Sequence, residues 1–223
     1  MRKFYQIAID GPAGSGKSTI AKLLAQKLGF IYIDSGAMYR VVTFYMIKKK
    51  LLKTNNNRLT GHLKKINIIF KNINNSQHIF LGNTDVTRRI RTSKINKLVS
   101  TVSSINVVRK EMVKRQRKLA INNSVVMDGR DIGTNVLRSA DLKIYLTASP
   151  YIRSQRRKKD LKNIGEIVHV EELVKQIHER DNYDSSRDIS PLCKAQDAIV
   201  IDSSSLPIDK VLEKISLFLV VLV

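Results

Sequence analysis

The chain has 223 residues, 43% of them hydrophobic and 26% charged, which is the composition of a globular protein with one full core and room for a small insert. Its single cysteine, Cys193, excludes a disulfide framework and favours a reducing compartment. We find no secretory signal and no apolar run of the roughly 20 residues that a membrane helix needs. We therefore expect a cytoplasmic monomer with no membrane partner.

The formal net charge of +21 raises the alternative of a nucleic-acid-binding protein. The basic residues are spread along the chain, however, and only 6% of the residues are aromatic, without the interleaving typical of base-stacking surfaces. We interpret the charge as compositional drift together with a phosphate-binding cleft, and we expect no nucleic-acid partner.

The first predicted element is a buried strand over residues 4–10, and a glycine-rich loop and an apolar-periodic helix follow it. The loop has the spacing glycine, four residues, glycine-lysine-serine, which is typical of a phosphate-binding loop. The candidate ATP-binding residues are Gly11, Pro12, Ala13, Gly14, Ser15, Gly16, Lys17, Ser18 and Thr19.

The chemistry of this loop follows from its residue types. Glycines let the backbone N–H groups converge on an anion, and the helix that starts near Lys17 adds the positive end of its dipole. Lys17 places a cation on the terminal phosphates of ATP, and the Ser18 hydroxyl is a ligand for the accompanying Mg²⁺. The alternative is a glycine-rich turn without a ligand, but the strand–loop–helix context favours phosphate binding.

A helix stop at Gly29 and a short strand over 30–33 come next, and then a helix capped by Asp34 or Ser35 that runs to about Lys50. Arg40 lies just past this strand end, where a substrate binds in α/β proteins, although a solvated helix arginine is the simpler interpretation.

Residues 54–58 are polar and rich in asparagine, which predicts a loop. Beyond them, the β-prone runs 66–70 and 78–81 predict a hairpin that belongs to a small insert outside the main sheet. His62 and His78 have no partner at metal-ligand spacing, so we interpret both as surface histidines.

Residues 93–121 are predicted to be helical with a break near 103–106, and a strand that starts at 125 follows. This strand ends in Asp128, an acidic residue suited to a position near Mg²⁺. Arg130 is able to bind phosphate through two N–H groups, and Asp131 is able to accept hydrogen bonds from a ring amine. A tight turn closed by a local Arg–Asp ion pair is the alternative.

A strand over 142–147 precedes a basic helix that contains Arg153, Arg156 and Arg157. Arginines that close over a transferring phosphoryl group stabilise its charge, so this helix resembles a lid, although a basic solvated face is the alternative.

Farther on, the spacing of Arg180, Asp184 and Arg187 places all three on one face of a helix. They form either part of a binding site or a row of ion pairs along the helix that needs no ligand. A last strand over 198–201 and a helix from Pro207 to the C-terminus complete the chain.

Five strands alternating with helices predict a three-layer α/β/α domain around a mostly parallel five-stranded sheet. Ligands of such sheets bind at the carboxyl ends of the strands. The informative stretches around 11–18, 34–40, 128–131 and 153–157 all follow predicted strand ends, and this coincidence is stronger than any single motif.

From about residue 6 to 215 the sequence resembles bacterial cytidylate kinases, which are phosphate-loop nucleoside monophosphate kinases. The motifs that carry the resemblance are Ile-Asp-Gly-Pro-Ala-Gly-Ser-Gly-Lys-Ser-Thr at 9–19, Asp-Ser-Gly-Ala-Met-Tyr-Arg at 34–40, Asp-Val-Thr-x-x-Ile-Arg at 85–91, Asp-Gly-Arg-Asp-Ile-Gly-Thr at 128–134, Arg-Asp-x-x-Asp-x-x-Arg at 180–187 and, after Pro-Leu, Ala-x-Asp-Ala at 195–198. Taken in order, they are far more specific than the phosphate loop alone.

The resemblance implies phosphorylation of CMP and dCMP by ATP in direct in-line transfer. It further implies that residues 58–91 form an inserted monophosphate-binding subdomain and that residues 150–168 form a lid. By resemblance, Ser35, Arg40, Arg130 and Arg187 hold the acceptor and its phosphate, Ser100, Arg109 and Asp131 read cytosine, Arg180 and Asp184 meet the sugar, and Lys17, Asp128, Arg153 and Arg157 act in catalysis.

Two stretches depart from the family pattern. Leu137-Arg138-Ser139 replaces a sequence such as Phe-Pro-Asp, and the apolar end 217–223 replaces a charged amphipathic helix. Three alternatives to the implied function remain: a phosphate-loop kinase for another acceptor such as shikimate, a basic NTPase stimulated by nucleic acid, and a protein that binds ATP without transfer.

Overall fold

A computed structural model of the chain describes residues 4–74, 76–163, 165 and 168–219. Its strands are β1 (Gln6–Asp10), β2 (Ile31–Asp34), β3 (Ile68–Ile73), β4 (Ser76–Leu81), β5 (Thr84–Asp85), β6 (Val125–Gly129), β7 (Leu142–Thr147) and β8 (Ile199–Asp202). Its helices are α1 (Lys17–Leu28), α2 (Ser35–Lys48), α3 (Asn56–Lys65), α4 (Ser93–Ser104), α5 (Asn106–Ala120), α6 (Pro150–Lys162), α7 (Val170–Ser186) and α8 (Ile208–Leu219).

Five of these strands form one parallel sheet in the order β2-β6-β1-β7-β8. Asp10 pairs with Gly129, Asp34 pairs with Asp128, and Thr147 pairs with Asp202, so these carboxyl ends lie along one edge of the sheet. The prediction of a parallel five-stranded α/β fold is confirmed. The register is what brings the loop after β1 and the turn after β6 to the same edge.

The chain divides into two compact units, one made of the described residues of Met1–Asp34 and Leu119–Val223 and the other of Ser35–Lys118. The core of the first unit is an apolar cluster in which Ile20 and Leu24 of α1 and Val211 and Ile215 of α8 pack on the apolar residues of β1 and β7. The strands read as continuous apolar runs because the sheet is buried.

The second unit has its own core and a three-stranded antiparallel sheet in the order β3-β4-β5. Ala37 and Val41 of α2 pack there against Ile79, Val86 and Ile90. The predicted hairpin is confirmed, with Phe70 opposite Ile79 in its register; Asn75, assigned to its turn, lies outside the described residues. The predicted insert, residues 58–91, falls within this unit.

One local prediction is wrong: the segment 54–58, predicted to be a loop, contains the start of α3. The Asn55 side chain accepts a hydrogen bond from the Arg58 backbone N–H at 2.9 Å and caps the helix. Asparagine disfavours a helix interior but is among the best residues immediately before one. Leu59 and Leu63 of α3 are buried, so the helix has an apolar face that is removed from water.

The ends of two other elements follow from capping. Gly29 ends α1 in a left-handed conformation with φ of 67°, as the sequence predicts. Ser149 begins α6 by accepting a hydrogen bond from the Ile152 N–H, with Pro150 in the first turn. No helix in the described part of the chain is long and apolar enough to span a membrane.

Candidate active site

The phosphate-loop candidate, residues 11–18, joins β1 to α1, as predicted. Gly11 has φ of 145°, and a Cβ there would come within 2.0 Å of the Leu146 carbonyl oxygen, so no other residue fits. Gly14 has φ of 78° and packs on α6, where a Cβ would lie 3.1 Å from the Arg153 Cβ. The loop therefore has the backbone of an anion cradle and is packed tightly against its neighbours.

Lys17 is almost fully buried inside this loop. Its Nζ donates to the Pro12 carbonyl at 2.6 Å and to Ser15 Oγ at 3.3 Å. Burial lowers the pKa of the Lys17 ammonium well below its usual range; the Arg130 guanidinium adds to the shift, and the Asp128 and Asp10 carboxylates oppose it. An anion in the cradle would restore the charged form.

Asp128, at the end of β6, is buried beside the start of α1. It accepts hydrogen bonds from the Ser18 hydroxyl at 2.8 Å and the Tyr32 hydroxyl at 2.9 Å. Burial, together with the neighbouring Asp34 carboxylate, raises the pKa of Asp128 to about 7. The hydroxyl and carboxylate oxygens of Ser18 and Asp128 are the donor types that Mg²⁺ prefers, and a nearby divalent cation would favour the ionised carboxylate.

Asp10 is a buried acid that sequence reasoning missed. Its two carboxylate oxygens accept the backbone N–H groups of Ile132 at 2.8 Å and Gly133 at 2.7 Å. Burial raises the pKa of Asp10 to about 6 despite these hydrogen bonds. The pattern that points to it is an acid at the end of an otherwise apolar strand, directly before the loop. It ties the end of β1 to the turn that begins after Asp131.

Asp131 itself is buried, and its Oδ2 accepts a hydrogen bond from the Asn135 side chain at 3.0 Å. Asn135 also donates to Ser190 Oγ at 3.0 Å. The segment Ile132–Val136 forms a π-helical turn, which no pattern in the sequence predicted. Tertiary hydrogen bonds that this unusual turn donates to Asp10 and Ser190 stabilise it and fix the carboxylate of Asp131.

Three arginines surround the buried carboxylate of Asp184 on α7. Arg130 Nε lies 3.2 Å from it, and Arg180 Nε and Arg187 Nη1 each lie 3.8 Å from it. Although burial opposes ionisation, these guanidinium groups hold the pKa of Asp184 below its usual range. Burial, with Arg130 adding to it, lowers the pKa of Arg180 to about 10. Three cations around one carboxylate leave an excess of positive charge, which is more than a row of ion pairs without a ligand requires.

The α6 arginines contact the phosphate loop from the other side. Arg153 is buried; its Nη1 donates to the Ala13 carbonyl at 3.1 Å and lies 2.6 Å from Asp181 Oδ2. Arg156 Nη1 donates to the Ser15 carbonyl at 3.2 Å. Arg157 is half-buried, and its charge adds to the lowering of the Arg180 pKa. The predicted lid stretch, 150–168, includes residues 164, 166 and 167, which lie outside the described residues.

The remaining predicted site residues belong to the second unit. Arg40 Nη1 donates to the Asn96 side chain and, at 3.4 Å, to the Ile90 carbonyl. Arg109 is buried, donates to the Ser103 carbonyl at 3.2 Å and stacks 5.2 Å from the centre of the Tyr39 ring. Ser35 is buried at the start of α2, and Ser100 is half-buried on α4.

The fold and this loop geometry define the class of the protein as a phosphate-loop α/β protein. The shikimate kinase from Acinetobacter baumannii, solved in complex with shikimate, shares the fold with a TM-score of 0.51 and 16% identity over 98% of this chain and 94% of that chain. An uncharacterized protein from Eubacterium ventriosum aligns with a TM-score of 0.52 and 14% identity over 97% of this chain and 98% of that chain.

The sequence profile described as "Cytidylate kinase" matches residues 7–219. The cytidylate kinases of Bacillus thuringiensis (strain Al Hakam) and Bacillus anthracis (strain A0248) are each 46% identical over 215 residues, which cover 96% of this chain and 96% of the relative. The chain therefore belongs to the cytidylate kinase family, and the resemblance found in its motifs is confirmed.

Proposed function

We propose that this protein transfers the terminal phosphoryl group of ATP to CMP and dCMP, giving CDP and dCDP. The observation that carries the proposal is the concentration of buried positive charge in the first unit. Arg130 and Arg180 both depress the pKa of the loop lysine, Lys17, and Arg130 and Arg157 both depress that of Arg180. Buried cations that lower one another's pKa are stabilised when anions bind between them. A kinase of this family binds two such anions together, a triphosphate and a monophosphate.

The proposed reaction needs little general acid–base catalysis. The phosphate of the acceptor is already anionic near neutral pH, so no strong general base has to activate it. The protein contributes position and charge: the 11–18 loop orients the donor phosphates, and Lys17, Arg153 and Arg157 neutralise the charge that spreads over the transferred group. Exclusion of water keeps the same site from hydrolysing ATP.

Magnesium is part of the proposal. Ser18 Oγ and Asp128 Oδ2 lie 2.8 Å apart, and both are hard oxygen donors. Among the described residues, no group of three or more His, Cys, Asp or Glu side chains forms a metal site. This fits Mg²⁺, which binds through one or two protein oxygens with the phosphates and water completing its shell. When bound, it neutralises charge on the phosphates of ATP.

The roles of the acceptor residues follow the family resemblance. We propose that Arg40, Arg130, Arg187 and Ser35 bind the acceptor and its phosphate. The cytosine-reading residues in this proposal are Ser100, Arg109 and Asp131, and those that meet the sugar are Arg180 and Asp184. The burial of Asp131 and its hydrogen bond from Asn135 support a reading role, because a fixed carboxylate discriminates a ring amine from a carbonyl.

We also propose residues 58–91 as the monophosphate-binding insert and 150–168 as the lid. A cytoplasmic location, a monomeric state and the absence of a nucleic-acid partner remain predictions from the sequence. Size-exclusion chromatography with light scattering measures the oligomeric state directly.

The test of the proposed function is an acceptor panel in a coupled ADP-release assay. CMP, dCMP, UMP, AMP and shikimate are supplied in turn with ATP and Mg²⁺, and a reaction without an acceptor measures ATP hydrolysis. We expect CMP and dCMP to have the highest kcat/KM. A preference for shikimate or AMP would overturn the acceptor assignment, and ATP turnover that requires RNA or DNA would overturn the class of function.

A further inference from the structure

Arg156 on α6 lies beside the phosphate loop but has no role in the proposed reaction. Its Nη1 donates to the Ser15 carbonyl at 3.2 Å and to Ser203 Oγ at 3.1 Å. Its Nη2 donates to the Ser203 carbonyl at 2.7 Å. The guanidinium fork therefore joins the loop after β1 to the segment after β8.

The carbonyl of Ser15 is held by more than one group. Ser203, which is buried, places its Oγ 3.1 Å from the same oxygen. A second carbonyl of the loop, that of Ala13, accepts from Arg153 Nη1 at 3.1 Å, and Arg153 is in turn fixed by Asp181 at 2.6 Å. Two peptide groups of one short loop are thus oriented by arginines of a single helix.

Fixing a carbonyl also fixes the N–H group of the next residue. The peptide bond is planar and trans, so the N–H of Gly14 points away from the Ala13 carbonyl, and the N–H of Gly16 points away from that of Ser15. Gly14 and Gly16 have φ of 78° and 94°, conformations that a free glycine exchanges readily with others. Because both carbonyls are held towards α6, both N–H groups face the opposite side, where an anion cradle needs them.

We infer that Arg156 is a positioning residue that preorganises the phosphate loop by holding the Ser15–Gly16 peptide plane, with Ser203 as its partner. Arg153, which the proposed function places in catalysis, also contacts the loop through the Ala13 carbonyl. This inference deepens the proposed function and rests on it, since the ligand of the loop is taken to be the triphosphate of the donor. It differs from a lid role in that Arg156 acts on the main chain and leaves the phosphates to the loop N–H groups.

The experiment measures binding of inorganic tripolyphosphate by isothermal titration calorimetry, with no acceptor present. Arg156→Gln removes the fork and the charge, Arg156→Lys keeps the charge alone, and Lys159→Gln removes an exposed charge from the same helix as a matched control. We expect Arg156→Gln and Arg156→Lys each to weaken binding by about tenfold, because a misplaced donor loses most of its value, and Lys159→Gln to change it by less than about twofold.

The salt dependence separates positioning from loss of charge. A charge within a Debye length of the bound anion, about 10 Å at 0.1 M salt, contributes to the slope of log Kd against log salt concentration whether or not it touches the phosphates. Arg156→Lys keeps this charge, so we expect it to bind more weakly with the salt slope of the wild type. Recovery of binding in Arg156→Lys, or equality of Arg156→Gln with Lys159→Gln, would overturn the inference.

Ser203→Ala provides a second route if Arg156→Gln does not fold, as judged by circular dichroism. It removes the Oγ contacts to the Ser15 carbonyl, to the Thr147 carbonyl and to Arg156 while retaining the Ser203 carbonyl. We expect weaker tripolyphosphate binding with an unchanged salt slope, and wild-type affinity would overturn the inference. If the wild type itself fails to bind tripolyphosphate, the proposed function fails first, and the two failures are thereby distinguished.

Discussion

At the scale of single residues, we expect catalysis to depend most on Lys17. Its ammonium lies in the loop against the Pro12 carbonyl and Ser15 Oγ, beside buried carboxylates and arginines. We predict that Lys17→Ala lowers kcat by about 100-fold or more, because removing one preorganised charge-stabilising group from a site costs about that much. Turnover at saturating CMP in the coupled assay measures it.

The matched control for this variant is Lys22→Ala, which removes an exposed lysine from the same helix, α1. It should retain wild-type turnover. A Lys17→Ala protein with the kcat of the control would remove the phosphate loop from the explanation of catalysis.

The raised pKa of Asp128 predicts how the stability of the protein depends on pH. Its pKa in the folded protein is about 7, against 3.8 for an ordinary aspartate, because burial and the Asp34 carboxylate disfavour the charged form. A folded-state pKa above the unfolded value means that this carboxyl favours folding most below about pH 3.8 and that the contribution is lost as the pH rises through about 7. Asparagine does not titrate, so the loss should disappear in Asp128→Asn.

We therefore predict that Asp128→Asn is more stable than the wild type without nucleotide, by a margin that grows on the order of 2 kcal/mol between about pH 5 and pH 8. Thermal unfolding across a pH series measures the margin. Asp160→Asn, which changes an exposed aspartate of α6, is the control and should give a flat difference. A margin for Asp128→Asn that stays constant with pH would contradict the assigned pKa.

At the scale of elements, the sequence predicted what local pattern controls. Apolar runs identified the strands, Gly29 ended α1 and the glycine-lysine-serine spacing located the loop, because each depends on residues near in the chain. The start of α3 at Asn56 was missed because one capping contact from Asn55 outweighs the low helix propensity of the asparagines around it.

The candidate site likewise contains residues that local motifs predict and residues whose roles depend on contacts far apart in the sequence. Motif residues such as Lys17, Asp128 and Arg130 were predicted from spacing and resemblance. Asp10, Tyr32 and the loop-binding role of Arg156 were not, because their hydrogen-bond partners lie 47 or more positions away in the sequence. Only the fold brings them together: Asp10 accepts from the 132–133 backbone, and Tyr32 donates to Asp128. Composition gives no sign of such contacts.

A further long-range contact, that of Arg115 in the second unit, leads to a prediction at the scale of elements. Arg115 of α5 donates to the Leu63 carbonyl at 2.8 Å and to the Ile66 carbonyl, at the C-terminal end of α3, while Glu111 holds its Nε at 2.6 Å. Arg115→Ala removes these charged hydrogen bonds and leaves the Leu63 carbonyl with only the Ile66 N–H at 3.2 Å, so the free energy of unfolding should fall by about 2 kcal/mol. Denaturant titration measures it, and Lys114→Ala, at an exposed neighbouring position, is the control. Equal stability of the two variants would show that the cap contributes nothing.

At the scale of the whole molecule, the excess positive charge predicts how ligands affect stability. Anions that bind the folded protein relieve the repulsion among Lys17, Arg130 and Arg180 and add their binding free energy to stability. We predict that ATP raises the midpoint of thermal unfolding at low ionic strength and that the increase shrinks with added salt. Differential scanning fluorimetry measures both effects, with adenosine as the uncharged control, and an equal shift with adenosine would contradict the role of the phosphates.

Every role proposed for the phosphate loop and the arginines depends on the transfer of a phosphoryl group from ATP to CMP by this protein. The most direct measurement incubates the protein with CMP and ATP labelled with ³²P at the terminal phosphate and separates the nucleotides by chromatography. We expect label in CDP, in amounts equal to the ADP formed, and label transfer by Lys17→Ala that is slower by about 100-fold or more. Label found only in inorganic phosphate, or ADP formed without labelled CDP, would contradict the proposed transfer.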